Sequence, residues 1–271
     1  MIVIGEKING AVPKTGVAIA NRDAEYIKEL VRMQETAGVS YLDVCASTDA
    51  DIEYEALCWL IDTVQEVNTI PLCVDSPDPE IILKVFPRVK EPGLINSISL
   101  EGNKCELLFP LLRDNPEWKA VALCSGGDVG VSYTAEQKAE LAFKIIERAA
   151  EYGVTEDRLF LDLLIFDAST RNDTAIEFCK AIRMIKERYP NTIITGALSN
   201  VSFTLPVKKA LNMAFLTLAM DAGLDSFIGD TTNRDLKALM LATNILIGKD
   251  KHCRKYTNAY RKGEIGPIKK D

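Results

Sequence analysis

The sequence predicts a closed barrel of eight parallel strands, each followed by a helix. Eight short apolar runs are spread along the chain, and an amphipathic segment long enough for a helix separates each run from the next. The repeats fill roughly 250 residues, the usual length of a single-domain (β/α)8 or TIM barrel. The apolar runs are 2–9, 41–45, 71–76, 93–97, 120–125, 158–164, 192–200 and 225–230.

Polar residues stand at the ends of these runs, and most of them are Asp or Asn. All strands of a parallel barrel present their carboxyl ends on one face, where barrel enzymes have their active sites. We therefore expect these side chains to gather around one pocket. They are Asn9, Asp43, Asp75, Asn96, Asp162, Asn200 and Asp230.

The helices follow from apolar spacing and from signals at their ends. Ile27 and Leu30 lie on one stripe of the first helix, which Gly38 is suited to end. Thr134, with Gln137 three residues later, is a capping box that marks the start of the fifth helix. The predicted helices are 22–38, 50–67, 78–90, 102–114, 134–152, 172–189, 206–223 and 233–248.

The segments between these elements predict one domain. Residues 9–21 and 166–173 are polar and follow strand ends, so we expect them to be loops above the barrel, and glycine-rich 125–130 to be a flexible loop. An open doubly wound sheet would show the same alternation, but its glycine-rich phosphate fingerprint is absent after the first strand. We predict a barrel over residues 1–248 and a polar tail, 249–271, that belongs to the same domain.

Composition limits the location and the partners. Hydrophobic residues make up 47% of the 271 residues and charged residues 26%, as in soluble globular proteins, and no apolar run is long enough to cross a membrane. The N-terminus does not resemble a secretory signal, and the seven cysteines form no C-x-x-C pair, so we expect reduced thiols and a cytoplasmic protein. The net charge of −7 argues against a nonspecific nucleic-acid binder.

The polar residues indicate the chemistry of the pocket. The only histidine, His252, lies in the tail, which disfavours mechanisms with a histidine base and a zinc site. Ionised Asp75 and Asp162 only accept hydrogen bonds, whereas Asn96 and Asn200 both donate and accept. Such a set suits the N–H edge of a fused heterocycle such as a pterin. Two alternatives stay open, namely an oxygen-coordinated metal ion and residues that merely cap strand ends.

Six short motifs resemble the pterin-binding methyltransferases. They are GEKIN (5–9), LDV (42–44), LCVDS (72–76), INS (95–97), LD (161–162) and GALSNVS (196–202). That family comprises methyltetrahydrofolate:corrinoid/iron–sulfur-protein methyltransferase, the folate domain of cobalamin-dependent methionine synthase and, more distantly, dihydropteroate synthase. The resemblance extends from Met1 to about residue 248, and LSNVS together with INS and the strand-three aspartate is its most specific part.

The resemblance implies roles for individual residues. Asn200 falls on the amide that contacts the pterin nitrogen bearing the methyl group, so it is the implied catalytic residue. The implied pterin-binding residues are Asp75, Asn96, Asp162, Gly196, Ser199 and Asn200. The implied supporting residues are Glu6, Asn9, Asp43 and Lys208.

Two departures from the family pattern concern the partner protein. LDVCAS stands where the iron–sulfur-protein methyltransferases tend to have LDLNVG, so Cys45 replaces an amide, and FTLPVKK follows LSNVS in place of a polar stretch. The loop that meets the protein-bound corrinoid is therefore expected to differ. In this respect the chain is similar to the methyltransferase components of anaerobic demethylation systems, which pass methyl groups to tetrahydrofolate.

The resemblance implies a methyltransferase that moves a methyl group between a corrinoid protein and tetrahydrofolate, as the folate-side component of an anaerobic demethylase system. A partner should supply the corrinoid, because the chain lacks the D-x-H-x-x-G motif, and we expect a homodimer without bound metal. One alternative is a dihydropteroate synthase-like enzyme, which needs a basic cluster near the last strands, where the chain offers Arg234 alone. The other alternative is a pterin-binding protein without activity.

Overall fold

The computed structural model describes residues 1–230 and 232–267, in which eight parallel strands form a barrel with helices around the outside. A further strand, β6, is two residues long and pairs antiparallel with β5. The strands are β1 (Ile2–Asn9), β2 (Tyr41–Cys45), β3 (Leu72–Asp75), β4 (Leu94–Leu100), β5 (Lys119–Gly126), β6 (Gly130–Val131), β7 (Leu159–Asp162), β8 (Ile193–Thr195) and β9 (Ser226–Gly229).

Helices connect the strands on the outside of the barrel. They are α1 (Pro13–Ala20), α2 (Ala24–Ala37), α3 (Ala50–Gln65), α4 (Pro79–Val85), α5 (Lys104–Asp114), α6 (Ala135–Glu151), α7 (Thr174–Arg188), α8 (Lys208–Ala222), α9 (Arg234–Leu246) and α10 (Arg254–Arg261). The predicted capping box at the start of α6 is confirmed, because Thr134 and Gln137 each bond the backbone of the other.

The barrel closes between its last two strands. Around the barrel the strands follow the order β8, β7, β5, β4, β3, β2, β1, β9. Ala197 pairs with Ile228, and the N–H of Ile228 donates to the Gly196 carbonyl at 3.0 Å, which joins β8 to β9. The predicted TIM barrel is therefore confirmed.

An inner layer of side chains fills the barrel below its carboxyl-end face. Each of its members is at most 1% exposed, and they are Ile4, Cys73, Leu94, Val121 and Phe160. Tyr41 packs edge-on against the Phe160 ring from across the barrel, with centroids 6.0 Å apart. The interior is thus a packed core, on which the residues nearer the strand ends rest.

Three local predictions were wrong or incomplete. Residues 9–21 were expected to be a loop but contain α1, because Ala18 and Ile19 are buried there in the core. The run 192–200 is strand only to Thr195, after which Leu198–Ser202 forms a 3₁₀ turn. Segment 125–130, expected to be a flexible loop, is part of the β5–β6 hairpin.

The described part of the tail folds back onto α9. Lys237 of α9 forms an ion pair with Glu264 at 3.0 Å. The carboxylate of Asp250 accepts the N–H groups of Lys255 and Tyr256, at 3.1 and 3.0 Å, and so organises the start of α10. Residues 268–271 of the predicted tail lie outside the described residues. Within the described ranges, no helix combines the length and the apolar character needed to span a membrane.

Candidate active site

A cavity of about 630 Å³ opens at the carboxyl ends of the barrel strands. Because side chains alternate along a strand, the residue two positions beyond each inner-layer residue points into the barrel again, one level higher. These second-level residues are Glu6, Asp75, Asn96, Leu123 and Asp162, and all of them line the cavity. The sequence therefore changes from apolar to mainly polar at the level where the barrel opens.

Asp43, Asp75 and Asn96 lie on neighbouring strands in the cavity wall. Asp43 is 2% exposed, and its Oδ1 accepts a hydrogen bond from Nδ2 of Asn96 at 3.4 Å. Burial, and then the nearby Asp75 carboxylate, raises the pKa of Asp43 well above its usual range. Burial raises the pKa of Asp75 to about 6, although a hydrogen bond with the Cys45 thiol lowers it. Asp43 thus positions the Asn96 side chain through this hydrogen bond. Asp75 is left as the carboxylate on this wall that can accept hydrogen bonds from a ligand.

Asp162 supplies a second carboxylate three strands away from Asp75 around the barrel. It is 7% exposed, and its Oδ1 accepts the N–H of Leu164 at 2.9 Å. Burial raises the pKa of Asp162 to about 6, against the opposing effects of the Leu164 N–H and the Lys138 ammonium group. Asp75 and Asp162 are therefore both ionised at neutral pH, and both gain a proton more readily than an exposed aspartate.

Asn200 lies at the mouth of the cavity in the 3₁₀ turn Leu198–Ser202. Its N–H donates to the Ala197 carbonyl at 3.2 Å, and its own carbonyl accepts the N–H of Phe203 at 3.3 Å. The backbone is thereby fixed while the side-chain amide remains exposed at the cavity. This geometry presents one donor and one acceptor to a bound molecule.

Two polar contacts connect β1 to neighbouring parts of the cavity wall, one through Glu6 and the other through Lys7. Ser199 Oγ donates to Oε2 of Glu6 at 3.4 Å, and burial, followed by the nearby Asp230 carboxylate, raises the pKa of Glu6. Lys7 Nζ lies 2.8 Å from Oδ2 of Asp230. Although burial acts to raise the pKa of Asp230, hydrogen bonds from Lys7 and Thr232 hold it below its usual range. The Lys7 cation is thus paired within the protein.

Apolar and aromatic side chains complete the cavity. Val12, Tyr26, Leu30, Leu123 and Phe203 line it beside the polar groups. Phe203 is 69% exposed at the mouth. A wall of this kind suits the face of a planar ring, while the polar groups suit its edge.

The structure brings together most of the residues singled out from the sequence. The residues of that set that line the cavity are Glu6, Asn9, Asp43, Asp75, Asn96, Asp162, Ser199, Asn200 and Asp230. Asn9 Oδ1 accepts the N–H of Ala11 at 2.8 Å and Ser47 Oγ at 3.0 Å, which organises the loop above β1.

Two residues of the predicted set lie outside the cavity lining that the described residues form. Gly196 is buried, and a Cβ there would come within 2.8 Å of Ile165 Cδ1 and 3.3 Å of Phe178 Cζ. The absence of a side chain at Gly196 therefore lets Ile165 and Phe178 pack against the backbone beneath the site. Lys208 is exposed at the start of α8, with Nζ 5.5 Å from the centroid of the Phe203 ring.

Sequence reasoning missed Lys7, Tyr26 and Phe203 as lining residues, and it missed Lys138, which is fully buried on α6 next to the turn after β7. Lys7 lies within the GEKIN motif and Phe203 directly follows LSNVS, so proximity to a motif was an available signal for these two. Lys138 gave no such signal, because a lone lysine on a helix is ordinarily solvated.

The donor set favours an organic ligand. Across residues 1–230 and 232–267, no three His, Cys, Asp or Glu side chains converge as a metal site requires, and the absence of a bound metal stays a prediction. Two buried acceptor carboxylates, a held amide and an apolar wall together match a flat heterocycle with an N–H edge. A parallel barrel with such a cavity agrees with the pterin-binding class that the sequence motifs predict.

The chain belongs to the pterin binding enzyme family, whose sequence profile matches residues 16–229. It is 45% identical to the methylcorrinoid:tetrahydrofolate methyltransferase of Eubacterium limosum over 269 residues, which cover 99% of each chain. It is 28% identical to the methionine synthase of Mycobacterium tuberculosis over 242 residues, which cover 84% of this chain and 20% of that protein. The resemblance inferred from the six motifs is therefore confirmed.

Solved structures support the same fold. A dihydropteroate synthase from Xanthomonas albilineans superimposes with a TM-score of 0.67, covering 90% of this chain and 92% of its own, at 16% identity. A dihydropteroate synthase from Coxiella burnetii gives a TM-score of 0.61, covering 83% and 87% at 15% identity. At such identities the likeness establishes the barrel architecture alone.

Proposed function

We propose that this protein is a methyltransferase that moves a methyl group between a corrinoid protein and tetrahydrofolate. The observation that carries the proposal is the 45% identity, over 99% of both chains, to a methylcorrinoid:tetrahydrofolate methyltransferase. The cavity agrees with it, because Asp75, Asn96, Asp162 and Asn200 all line one space of about 630 Å³.

The cavity residues divide the task of binding the pterin. Asp75 and Asp162 accept N–H groups of the ring edge, and these charge-assisted hydrogen bonds are stronger than those to neutral acceptors. Asn96, held by Asp43, presents its amide oxygen to the ring. The apolar wall that includes Leu123 excludes water from the ring face.

Asn200 acts at the reacting nitrogen. The corrinoid, held by the partner, supplies the cobalt-bound methyl group, and the electron pair of the broken bond stays with the cobalt. The pterin nitrogen becomes positive as it takes the methyl group and then loses its proton to water. The Asn200 amide accepts from the protonated nitrogen and donates to the neutral one, so it serves both directions of transfer. Catalysis then depends on positioning and on fixed dipoles rather than on a strong general acid.

The chain's own residues fit a folate site better than a corrinoid site. Its single histidine, His252, stands in the 3₁₀ turn Lys251–Cys253 and outside the cavity lining found in the described residues. The cavity lining found in the described residues therefore offers no histidine as an axial ligand of a corrinoid. This supports the proposal that the cofactor arrives on a partner.

We extend the proposal to the setting of the reaction. Transfer runs toward tetrahydrofolate in an anaerobic demethylase system, the protein is a cytoplasmic homodimer, and the tail from 249 belongs to the barrel domain. The family resemblance supports the first two points. The Lys237–Glu264 ion pair and the bond from Arg234 to the Gly266 carbonyl support the third.

Two other functions are disfavoured by particular contacts. A dihydropteroate synthase-like enzyme must hold a diphosphate, yet two of the cations near the last strands are already paired with carboxylates, Lys7 with Asp230 and Lys209 with Asp235. A pterin-binding protein without activity is disfavoured because Asn200 is present and presented at the cavity mouth.

The proposal is tested by following the visible spectrum of a methylated corrinoid protein mixed with this protein and tetrahydrofolate. We expect the methylcorrinoid absorbance to fall and methyltetrahydrofolate to form in equal amount. Tetrahydrofolate binding without transfer, with a partner shown to be active with another methyltransferase, would favour the inactive pterin-binding alternative.

A further inference from the structure

Lys138 is a buried lysine with an unusual set of partners. It projects from α6, is 0% exposed, and donates to the carbonyls of Ser132, Leu163 and Leu164 at 3.0, 2.6 and 2.8 Å. An ammonium group carries three N–H donors, so each donor has a backbone acceptor. Burial of a charged lysine is costly. Two of its three partners here, Leu163 and Leu164, belong to the chain immediately after β7, and Ser132 lies just before α6.

That segment also fixes a cavity residue. Leu164 adopts a left-handed conformation, with φ 55°, which is strained for a side chain of this kind. In this conformation its N–H donates to Oδ1 of Asp162 at 2.9 Å. Lys138 holds the carbonyl of Leu164 while the N–H of the same residue holds Asp162. One residue thus links the buried ammonium group to the cavity carboxylate.

We propose that Lys138 is a positioning residue that fixes the Leu163–Leu164 turn and, through it, holds the Asp162 carboxylate in the orientation that receives the pterin. The inference rests on the proposed function, because it gives Asp162 a pterin to receive. It adds a residue that lies outside the cavity and touches no substrate.

The charge of Lys138 acts on Asp162 as well. The ammonium group lowers the pKa of Asp162 against the effect of burial. Burial lowers the pKa of Lys138 to about 8, opposed by the Cys124 thiol and by Asp162. Arg171 lowers and Glu177 raises the same pKa, and the Phe166 ring centroid lies 4.9 Å from Nζ. At neutral pH the lysine is therefore cationic and favours ionised Asp162.

The test compares Lys138→Met with a matched lysine on the next helix. Lys186 of α7 also donates to a backbone carbonyl, that of Thr192 at 2.5 Å, and pairs with Asp225 at 2.6 Å, but it lies outside the cavity lining. Tetrahydrofolate affinity is measured from pH 5 to 8 by calorimetry in wild type, Lys138→Met, Lys138→Arg and Lys186→Met.

We expect Lys138→Met to weaken tetrahydrofolate binding about tenfold, the lower end of what removal of a residue that orients a ligating side chain costs at metal sites. The pH at which binding is lost should also rise, because Asp162 loses a cation that favours its ionised form. Lys138→Arg should restore that pH toward the wild-type value, and Lys186→Met should change neither quantity. Wild-type affinity and pH dependence in folded Lys138→Met, or equal losses in both Met variants, would overturn the proposal.

A second measurement covers a Lys138→Met variant that does not fold. In the isosteric Asp162→Asn variant, the carbon-13 signal of the Lys138 ε-carbon should titrate at lower pH than in wild type. An unchanged titration would mean that the two groups do not communicate and would overturn the proposal. This measurement needs no folate, so a wild-type protein that fails to bind tetrahydrofolate would contradict the proposed function separately.

Discussion

Lys7 and Asp230 form an ion pair, Nζ to Oδ2 2.8 Å, between the first and last strands of the barrel. The pair neutralises Lys7, which is the lysine in the cavity lining that the described residues form. A diphosphate group placed beside Lys7 would meet the Asp230 carboxylate as well. The pair therefore bears directly on which pterins the site accepts.

The first prediction concerns pterin diphosphates. We expect a pterin diphosphate to bind no more tightly than the unphosphorylated pterin, because Lys7 is already paired with Asp230. Calorimetric titration with the two compounds measures the difference. Asp230→Asn releases Lys7 and should raise diphosphate affinity, which serves as the positive control. Diphosphate binding more than about tenfold tighter in wild type, a difference of about 1.4 kcal/mol, would instead favour a synthase-like function.

The second prediction concerns the two acceptor carboxylates. Asp75→Ala and Asp162→Ala should each weaken tetrahydrofolate binding by one to two decades, because a hydrogen bond to a charged group is worth about 1.5–3 kcal/mol. Asp114→Ala, at an exposed position at the end of α5, is the matched control and should bind normally. Unchanged affinity in both cavity variants, with folding verified by circular dichroism, would remove their assignment.

The third prediction is a pH limit on binding. The pKa values of Asp75 and Asp162 are raised to about 6, so both carboxylates take up protons as the pH falls through that value. We expect tetrahydrofolate affinity to be constant from pH 7 to 8 and to fall below about pH 6. Titrations in buffers of equal ionic strength test this. Affinity that persists unchanged to pH 5 would mean that neither carboxylate has to be ionised.

The fourth prediction concerns stability. The pKa of Asp162 in the folded protein, about 6, exceeds the value of about 3.9 for an unfolded chain, so the folded state binds this proton more readily. Stability from this group is greatest below about pH 4 and is lost as the pH rises through 6. Asp162→Asn should therefore stabilise the free protein at pH 7.5, by roughly 1–3 kcal/mol, and by less at pH 4.5. Thermal unfolding at both pH values measures it, and equal gains at the two values would contradict the reasoning.

The fifth prediction separates rate from affinity at Asn200. Asn200→Ala should slow single-turnover methyl transfer at saturating tetrahydrofolate by ~10²-fold, and weaken tetrahydrofolate binding less, because the nitrogen it contacts changes charge during the reaction. Asn191→Ala, at the exposed turn before β8, is the control. A wild-type rate would remove Asn200 as the catalytic amide, whereas equal losses of rate and affinity would make it a pterin anchor.

Much of the fold and of the cavity was predictable because strands obey a two-residue period. The step from Phe160 to Asp162, or from Leu94 to Asn96, is visible in the sequence as an apolar residue followed by a polar one at the strand end. The barrel places those steps at one level. The pattern at the strand ends was therefore enough to predict both the barrel and the polar residues of the cavity.

The remainder depends on contacts that no local pattern records. Helix α1 is eight residues long and contains Pro13 and Gly16, so its apolar stripe was too short to detect. Lys138 lies on α6 between buried alanines, and only the fold shows that it points inward to the turn after β7. Phe203 belongs to the cavity because the chain turns at Leu198–Ser202, where the sequence predicted the end of a strand.

The proposed reaction brings an alkylating group into the cavity, so the thiols in the barrel wall need to be unreactive toward it. Cys45, Cys73 and Cys124 are buried in strands that border the cavity, and burial raises the pKa of each thiol. Because the thiolate is the nucleophile, these neutral thiols are poor acceptors for a migrating methyl group. The same desolvation that tunes the carboxylates thus protects the protein from alkylating itself.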